Sequence, residues 1–148
     1  MNAEGAKDRL LYAKPILLIE GPEAASPTVK EAMNELGMAR QVVHVPDVEQ
    51  ALERLTAQQA LEPAVICLNS LTGERDSLES LRLLKSDPNT KTIPVIVLAP
   101  SGDPQTVNES FALGVAGYVI TSASRDQVVE AVRAIGEYWA LSEVPLGA

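Results

Sequence analysis

Hydrophobic residues along this chain fall into short continuous runs instead of alternating with polar residues. Four such runs are Ile16 to Ile19, Val65 to Leu68, Val95 to Leu98 and Tyr118 to Ile120. A strand with apolar side chains on both faces is typical of a parallel sheet that is flanked by helices. A fifth run, Gln41 to Val45, contains polar residues, and we therefore place it as an outer strand of the same sheet.

Helical patterns with start and stop signals separate these runs. Ser26 and Pro27 predict the N-terminal cap and first turn of the first helix, and Gly37 predicts its end. Further helices are predicted from Asp47 with Gln50, from Leu78 to the turn at Ser86–Asn89, from Asp103–Pro104 to Gly114 and from Ser124 towards Trp139. This alternation predicts an α/β domain with a five-stranded parallel sheet and helices on both faces.

Composition narrows the classes of partner. The 148 residues suit one domain, and a formal net charge of -8 without a Lys/Arg cluster argues against nucleic-acid binding. The single cysteine, Cys67, fits a reducing compartment, and no apolar stretch reaches the roughly 20 residues that span a bilayer. We therefore expect a cytoplasmic protein that binds other proteins or small molecules.

The functional crevice of such a sheet lies at the carboxyl ends of its strands, where the strand order reverses. Hydroxyl groups there could bind an anion, but they are also common in strand-to-helix turns. No nucleophile-base set, metal-ligand spacing or phosphate-binding glycine motif occurs, so neither enzymatic activity nor a bound cofactor is expected. The hydroxyl-bearing residues at these strand ends are Ser70, Thr72, Ser101, Thr121 and Ser122.

Four segments carry a family resemblance: PILLIEG, EPAVICLNS, LKSDPNTKTIPVIVLAPSGDP and GVAGYVITS. In this order and spacing they resemble the response-regulator receiver domain over nearly the whole chain. The tail IGEYWALSEVPL is similar to that of single-domain receivers that partner bacterial phytochromes. The resemblance implies a flavodoxin-like fold, with an extension over residues 1–14, a receiver-like domain over 15–140 and a tail over 141–148. It also implies a protein partner, either a sensor histidine kinase or a phytochrome-like protein.

The same resemblance locates the phosphorylation site, where this chain departs from the family. Glu20 and Gly21 stand at the acidic pair that holds Mg²⁺, and Asn69 stands at the aspartate that accepts the phosphoryl group. Ala99 replaces the switch hydroxyl and Thr121 replaces the lysine. A neutral amide is a poor nucleophile, and glycine offers no ligand to a metal. We therefore predict a degenerate site that binds no metal and takes up no phosphoryl group.

Aromatic residues mark a possible partner face. Tyr118 matches the family's aromatic switch position, and we expect it to be a partly buried anchor on a partner-facing surface. Tyr138 and Trp139 either close the core against Leu10–Tyr12 or form a subunit contact, since aromatics are enriched in interface cores. The family's usual dimer and partner surface, on the fourth helix, fifth strand and fifth helix, favours a homodimer.

These features predict a pseudo-receiver that acts in two-component signalling as a phosphorylation-independent interaction module. Two alternatives stay open. One is a phosphorylatable receiver that uses a non-standard acid such as Glu20 or Asp76. The other is a flavin- or small-ligand-binding domain of the same fold, although Glu23 places a carboxylate where phosphate would sit. His44 is expected at the surface of its strand, and Cys67 in the core.

Overall fold

The computed structural model describes residues 14–24, 28–70, 77–121 and 124–141, the last three without their side chains. Strands and helices alternate five times within these residues. In chain order they are β1 (Ile16–Ile19), α1 (Val29–Glu35), β2 (Val42–Val45), α2 (Val48–Thr56), β3 (Val65–Asn69), α3 (Ser77–Ser86), β4 (Val95–Ala99), α4 (Pro104–Ala112), β5 (Gly117–Ile120) and α5 (Arg125–Leu141). A short 3₁₀ turn, Ala39–Gln41, leads into β2.

The five strands form one parallel sheet in the order β2-β1-β3-β4-β5. The central strand is β3, and β1 lies between β2 and β3, so that Ile16 pairs with both Val42 and Val65. The more polar run that was predicted to be an outer strand is β2, which lies at one edge with most of its side chains partly exposed. The predicted parallel sheet is therefore confirmed, and its second edge is β5.

Two apolar layers cover the sheet, one on each face. Successive residues of β1 point to opposite layers: Leu18 packs with α1 and α5, and Leu17 packs with α2 and α3. In α5, the core contacts come from one stripe of side chains that includes Val128 and Val132. This arrangement explains why β1, β3 and β4 are continuously hydrophobic, since every residue of these three strands is buried.

The first helix starts later than the sequence predicted. Its N-cap is Thr28, whose Oγ1 accepts a hydrogen bond from the backbone N–H of Glu31 at 3.0 Å. The Glu31 carboxylate accepts the backbone N–H of Thr28 in return, at 3.4 Å. This reciprocal capping box satisfies two N–H groups at once, which the predicted cap at Ser26–Pro27 could not do. Residues 25–27 themselves lie outside the described part of the chain.

Other predicted helix boundaries are confirmed. Asp47 Oδ1 accepts the N–H of Gln50 at 2.8 Å, and Asp103 Oδ1 accepts the N–H of Thr106 at 3.0 Å. The Thr106 hydroxyl also donates to Asp103, and these two bonds, the hydroxyl bond first, lower the pKa of the Asp103 carboxyl. Gly37 follows α1 with a φ of 75°, a left-handed conformation that favours glycine.

Across the described ranges, none of the helices combines the length and the apolar character that crossing a bilayer requires.

Candidate functional site

The positions that the sequence singled out meet at the carboxyl edge of the sheet. Glu20 and Gly21 follow β1, Asn69 ends β3, Ala99 ends β4 and Thr121 follows β5. The strand order reverses between β1 and β3, which is where a crevice opens in sheets of this kind. The structure joins four of these residues in two hydrogen-bonded pairs, one of Glu20 with Asn69 and one of Thr121 with Ala99.

Glu20 is the centre of the first pair. Its side chain is buried, with 3% of the residue exposed, yet both carboxylate oxygens have donors. Oε2 accepts the backbone N–H of Val29 at 2.7 Å, and Oε1 accepts that of Lys30 at 3.2 Å. Both N–H groups belong to the first turn of α1 and have no acceptor within the helix. Glu20 therefore joins the end of β1 to the start of α1, in addition to the capping box at Thr28.

Asn69 supplies the third donor to this carboxylate. Its side-chain Nδ2 lies 2.8 Å from Glu20 Oε2, across 49 residues of sequence. Since a carboxylate oxygen accepts and an amide nitrogen donates, this contact fixes which end of the amide faces Glu20. The position at which the family resemblance expects an acid thus carries a hydrogen-bond donor directed at another acid.

A histidine holds the backbone of the same strand end. The Nε2–H of His44 donates to the carbonyl oxygen of Glu20 at 2.7 Å, and the Glu20 N–H donates to the carbonyl oxygen of Val45 at 3.0 Å. His44 is exposed on the edge strand β2, as the sequence predicted. Its bond to Glu20 was missed, because no local pattern relates two residues that meet only through strand pairing.

The second pair closes the other side of the crevice. The backbone N–H and the hydroxyl of Thr121 both donate to the carbonyl oxygen of Ala99, at 2.8 Å and 3.3 Å. Both residues are buried. The β4–β5 ladder is thereby extended by one residue at the crevice. At the position that the family resemblance assigns to a lysine, the chain consequently presents a neutral side chain whose hydroxyl bonds to the backbone.

These residues do not fit a Mg²⁺ site. Mg²⁺ requires several oxygen ligands in near-octahedral geometry. Both carboxylate oxygens of Glu20 face N–H donors, Gly21 has no side chain, and Asn69 directs its nitrogen towards the carboxylate. Among the described residues, no three or more His, Cys, Asp or Glu side chains converge in a way that could hold a metal ion.

The structure describes only some of the other predicted site residues. Of the hydroxyl-bearing residues, Ser70 is partly buried and Ser101 is exposed, while Thr72 and Ser122 fall outside the described ranges. The alternative acceptor Asp76 is also outside them.

The aromatic residues occupy different depths. Tyr118 on β5 packs partly buried against the α2–α3 layer. Burial raises the pKa of its phenol, and the negative charge of Asp103 raises that pKa further. Tyr138 on α5 is 63% exposed. Trp139 is part of α5, but its side chain and Leu10–Tyr12 lie outside the description, so packing between them stays a prediction.

Cys67 is confirmed as a core residue, and its chemistry follows from its burial. It is fully buried on β3, and this burial raises the pKa of its thiol to about 12. Since the thiolate is the reactive form, we expect native protein to react very slowly with an aromatic disulfide reagent at neutral pH. Adding denaturant should release one equivalent of fast-reacting thiol. Fast labelling without denaturant would contradict this, and the chain's single cysteine makes the assignment direct.

The strand order and the crevice at the strand ends define a flavodoxin-like α/β domain. The chain is similar to response regulator Rcp1 of Synechocystis sp. (strain ATCC 27184 / PCC 6803 / Kazusa), with 29% identity over 130 residues, 85% of this chain and 88% of the relative. It also resembles the phosphorylated cyanobacterial phytochrome response regulator RcpA, with a TM-score of 0.76 and 31% identity, covering 90% of this chain and 99% of that one. For the bacteriophytochrome response regulator RtBRR, the TM-score is 0.65 with 32% identity, covering 91% of this chain and 86% of that one. No protein-family model matches. The chain belongs to the response-regulator receiver family.

Proposed function

We propose that this chain is a pseudo-receiver that acts in signal transduction without being phosphorylated. The observation that carries the proposal is the hydrogen bond from Asn69 Nδ2 to Glu20 Oε2 at 2.8 Å. An amide thus stands where a receiver has its phosphoryl-accepting aspartate. The neighbouring carboxylate of Glu20 already accepts hydrogen bonds from N–H donors. A phosphoryl group needs a nucleophilic carboxylate and positive charge around it, and neither Asn69 nor Thr121 supplies these.

The chain's role is then to bind proteins, as a signalling module and not as an enzyme. We propose that its partner face comprises α4, β5 and α5. Exposed apolar side chains on these three elements support this: Phe111 is 51% exposed, Ile120 is 50% exposed and Tyr138 is 63% exposed. Large apolar side chains in contact with water are typical of interaction surfaces when they group together.

Two kinds of partner are proposed for this face. Relatives of the chain are named as response regulators of cyanobacterial and bacterial phytochromes, which supports a phytochrome-like sensor or its kinase. A second copy of the chain is the other partner, since an aromatic-rich surface suits a symmetric homodimer.

An amide NMR titration tests the absence of phosphorylation. Mg²⁺ is added first and then beryllofluoride, which mimics an acyl phosphate on a receiver aspartate. We expect no saturable shifts at Gly21, Asn69 or Ala99, because the ligands and the nucleophile are missing. A phosphorylatable receiver in the same buffer is the positive control.

Incubation with acetyl phosphate and Mg²⁺, followed by intact-mass measurement, gives an independent readout. The expected mass is that of the unmodified chain. Saturable shifts around Gly21 and Asn69, or a gain of one phosphoryl group, would overturn the proposal. In the second case, peptide mapping would show whether another acid such as Asp76 is the acceptor.

A further inference from the structure

Met38 lies at the rim of the core, in the turn that follows α1. The residue is 8% exposed, whereas Met33, which belongs to the same core layer, is 0% exposed. Its neighbours along the chain, Gly37, Ala39 and Arg40, are all exposed. Of the two methionines that the structure describes, Met38 is therefore the one that lies closer to water.

The turn that holds Met38 is short. Met38 precedes the 3₁₀ turn Ala39–Gln41, and its side chain makes no capping hydrogen bond. Its backbone N–H donates to the carbonyl oxygen of Met33, and its carbonyl oxygen accepts the N–H of Gln41, each at 2.9 Å. Short turns with few hydrogen bonds open locally at a lower free energy than the core of the fold. Opening of this turn can therefore bring the sulfur of Met38 into water while the sheet stays folded.

In the closed turn, the thioether of Met38 packs on the backbone of α5 at Gly136. A Cβ built on Gly136 would lie 2.9 Å from Cε of Met38 and 3.3 Å from its Sδ. The N–H groups of a helix interior are already bonded within the helix. An oxygen atom added to Sδ would therefore meet no free donor at this contact, and burying such a polar group is unfavourable. An oxidised Met38 consequently favours the open turn.

We propose that Met38 is an oxidation site through which a peroxide loosens the last turns of α5. Hydrogen peroxide transfers one oxygen atom to Sδ. The S–O bond forms, the peroxide O–O bond breaks, the sulfur loses two electrons, and the second peroxide oxygen leaves as water. The product, methionine sulfoxide, is polar and can be reduced again by methionine sulfoxide reductases, so the modification is reversible.

The expected effect is confined to the end of α5. Among the described side chains of this helix, Ile135 is the last buried one, and Glu137 and Tyr138 are exposed. The contact of Met38 with Gly136 thus helps to hold the turns that follow Ile135. Its loss should free the backbone of residues 137–141, while Val132 stays in the core. This inference requires neither a bound partner nor the absence of phosphorylation.

Peptide mass spectrometry of the native full chain after exposure to hydrogen peroxide tests the site. We expect Met38 to be oxidised roughly tenfold faster than Met33, and the two rates to become equal in denaturant, where both side chains meet water. Gly136→Ala places a Cβ against the flexible end of Met38 and should displace it. In this variant, Met38 should be oxidised faster still, whereas the rate at Met33 should stay unchanged.

Amide hydrogen exchange tests the effect on α5. After oxidation, exchange at residues 137–141 should become roughly tenfold faster, and exchange at Val132 should stay the same. Treatment with the two methionine sulfoxide reductases, one for each sulfoxide epimer, should restore slow exchange. Met38→Leu is the matched control, because leucine has nearly the same volume but no sulfur. Exchange in this variant should not respond to peroxide.

Equal oxidation rates of Met33 and Met38 in the native protein would overturn the proposed oxidation site. Oxidation of Met38 without faster exchange at residues 137–141 would overturn its effect on α5, and so would an equal response of Met38→Leu to peroxide. None of these outcomes bears on phosphorylation, which the beryllofluoride titration decides alone. Conversely, beryllofluoride binding would overturn the proposed function and leave the result for Met38 intact.

Discussion

Replacing Glu20 with alanine is expected to lower the free energy of unfolding by about 3 kcal/mol. The change leaves three donors without their acceptor: the N–H groups of Val29 and Lys30 and the amide of Asn69. Two of these contacts are buried, so water cannot fully replace the carboxylate. Urea unfolding followed by circular dichroism measures the loss.

Two variants make this result specific to the hydrogen bonds. Glu20→Gln keeps the size and one acceptor oxygen, and we expect it to lose about half as much stability, since its NH₂ group meets a donor. Glu23→Ala removes an exposed carboxylate from the same loop and should change stability by less than about 0.5 kcal/mol. If Glu20→Ala cost no more than Glu23→Ala, the buried carboxylate would not be what holds α1 to the sheet.

Introducing an acid with Asn69→Asp is expected to destabilise the protein at neutral pH, by about 2 to 3 kcal/mol. The substitution removes the donor 2.8 Å from Glu20 Oε2 and puts a second negative charge there. The charge of Glu20 should raise the pKa of the introduced carboxyl above its value in the unfolded chain. A raised pKa means that the folded state binds the proton more tightly, so the destabilisation is full above the raised pKa and fades as the pH falls through it.

Unfolding of Asn69→Asp and of the natural sequence across the same pH range measures this difference. Asn89→Asp adds the same charge at an exposed turn, so its stability should track that of the natural sequence. A constant gap between Asn69→Asp and the natural sequence at every pH would contradict the charge argument. We also expect Asn69→Asp to remain unmodified by acetyl phosphate, because Gly21, Ala99 and Thr121 still lack the other groups of the reaction.

The strands were predictable because a strand that is buried on both faces consists of consecutive hydrophobic residues. Ile16 to Ile19 are all nearly inaccessible to water, and the predicted run coincides with β1. The start of α1 was not predictable in the same way. Ser26–Pro27 and Thr28 with Glu31 are both good start signals within a few residues, and side-chain geometry selects the second.

For the candidate site, the sequence predicted the residues but not their hydrogen-bond partners. The sequence predicted which side chains stand at the strand ends, and the family resemblance assigned Asn69 to the position of the aspartate and Ala99 to that of the hydroxyl. The partners of those side chains were not predicted. Glu20 was assigned to the degenerate acidic pair, and only the structure shows that it accepts hydrogen bonds from α1 and from Asn69.

The sequence by itself determined the order of strands and helices, the edge position of β2 and the chemical identity of the crevice, since each follows from residues that are adjacent or periodic along the chain. Tertiary structure alone decided that Glu20 meets Asn69 and that the ring of Tyr118 lies against Gly102. These contacts join residues that are distant in sequence, and their geometry is set by parallel strand pairing and by the packing of α1 and α4 on the sheet. No local sequence pattern specifies the distance between two side chains that come together only when the chain folds.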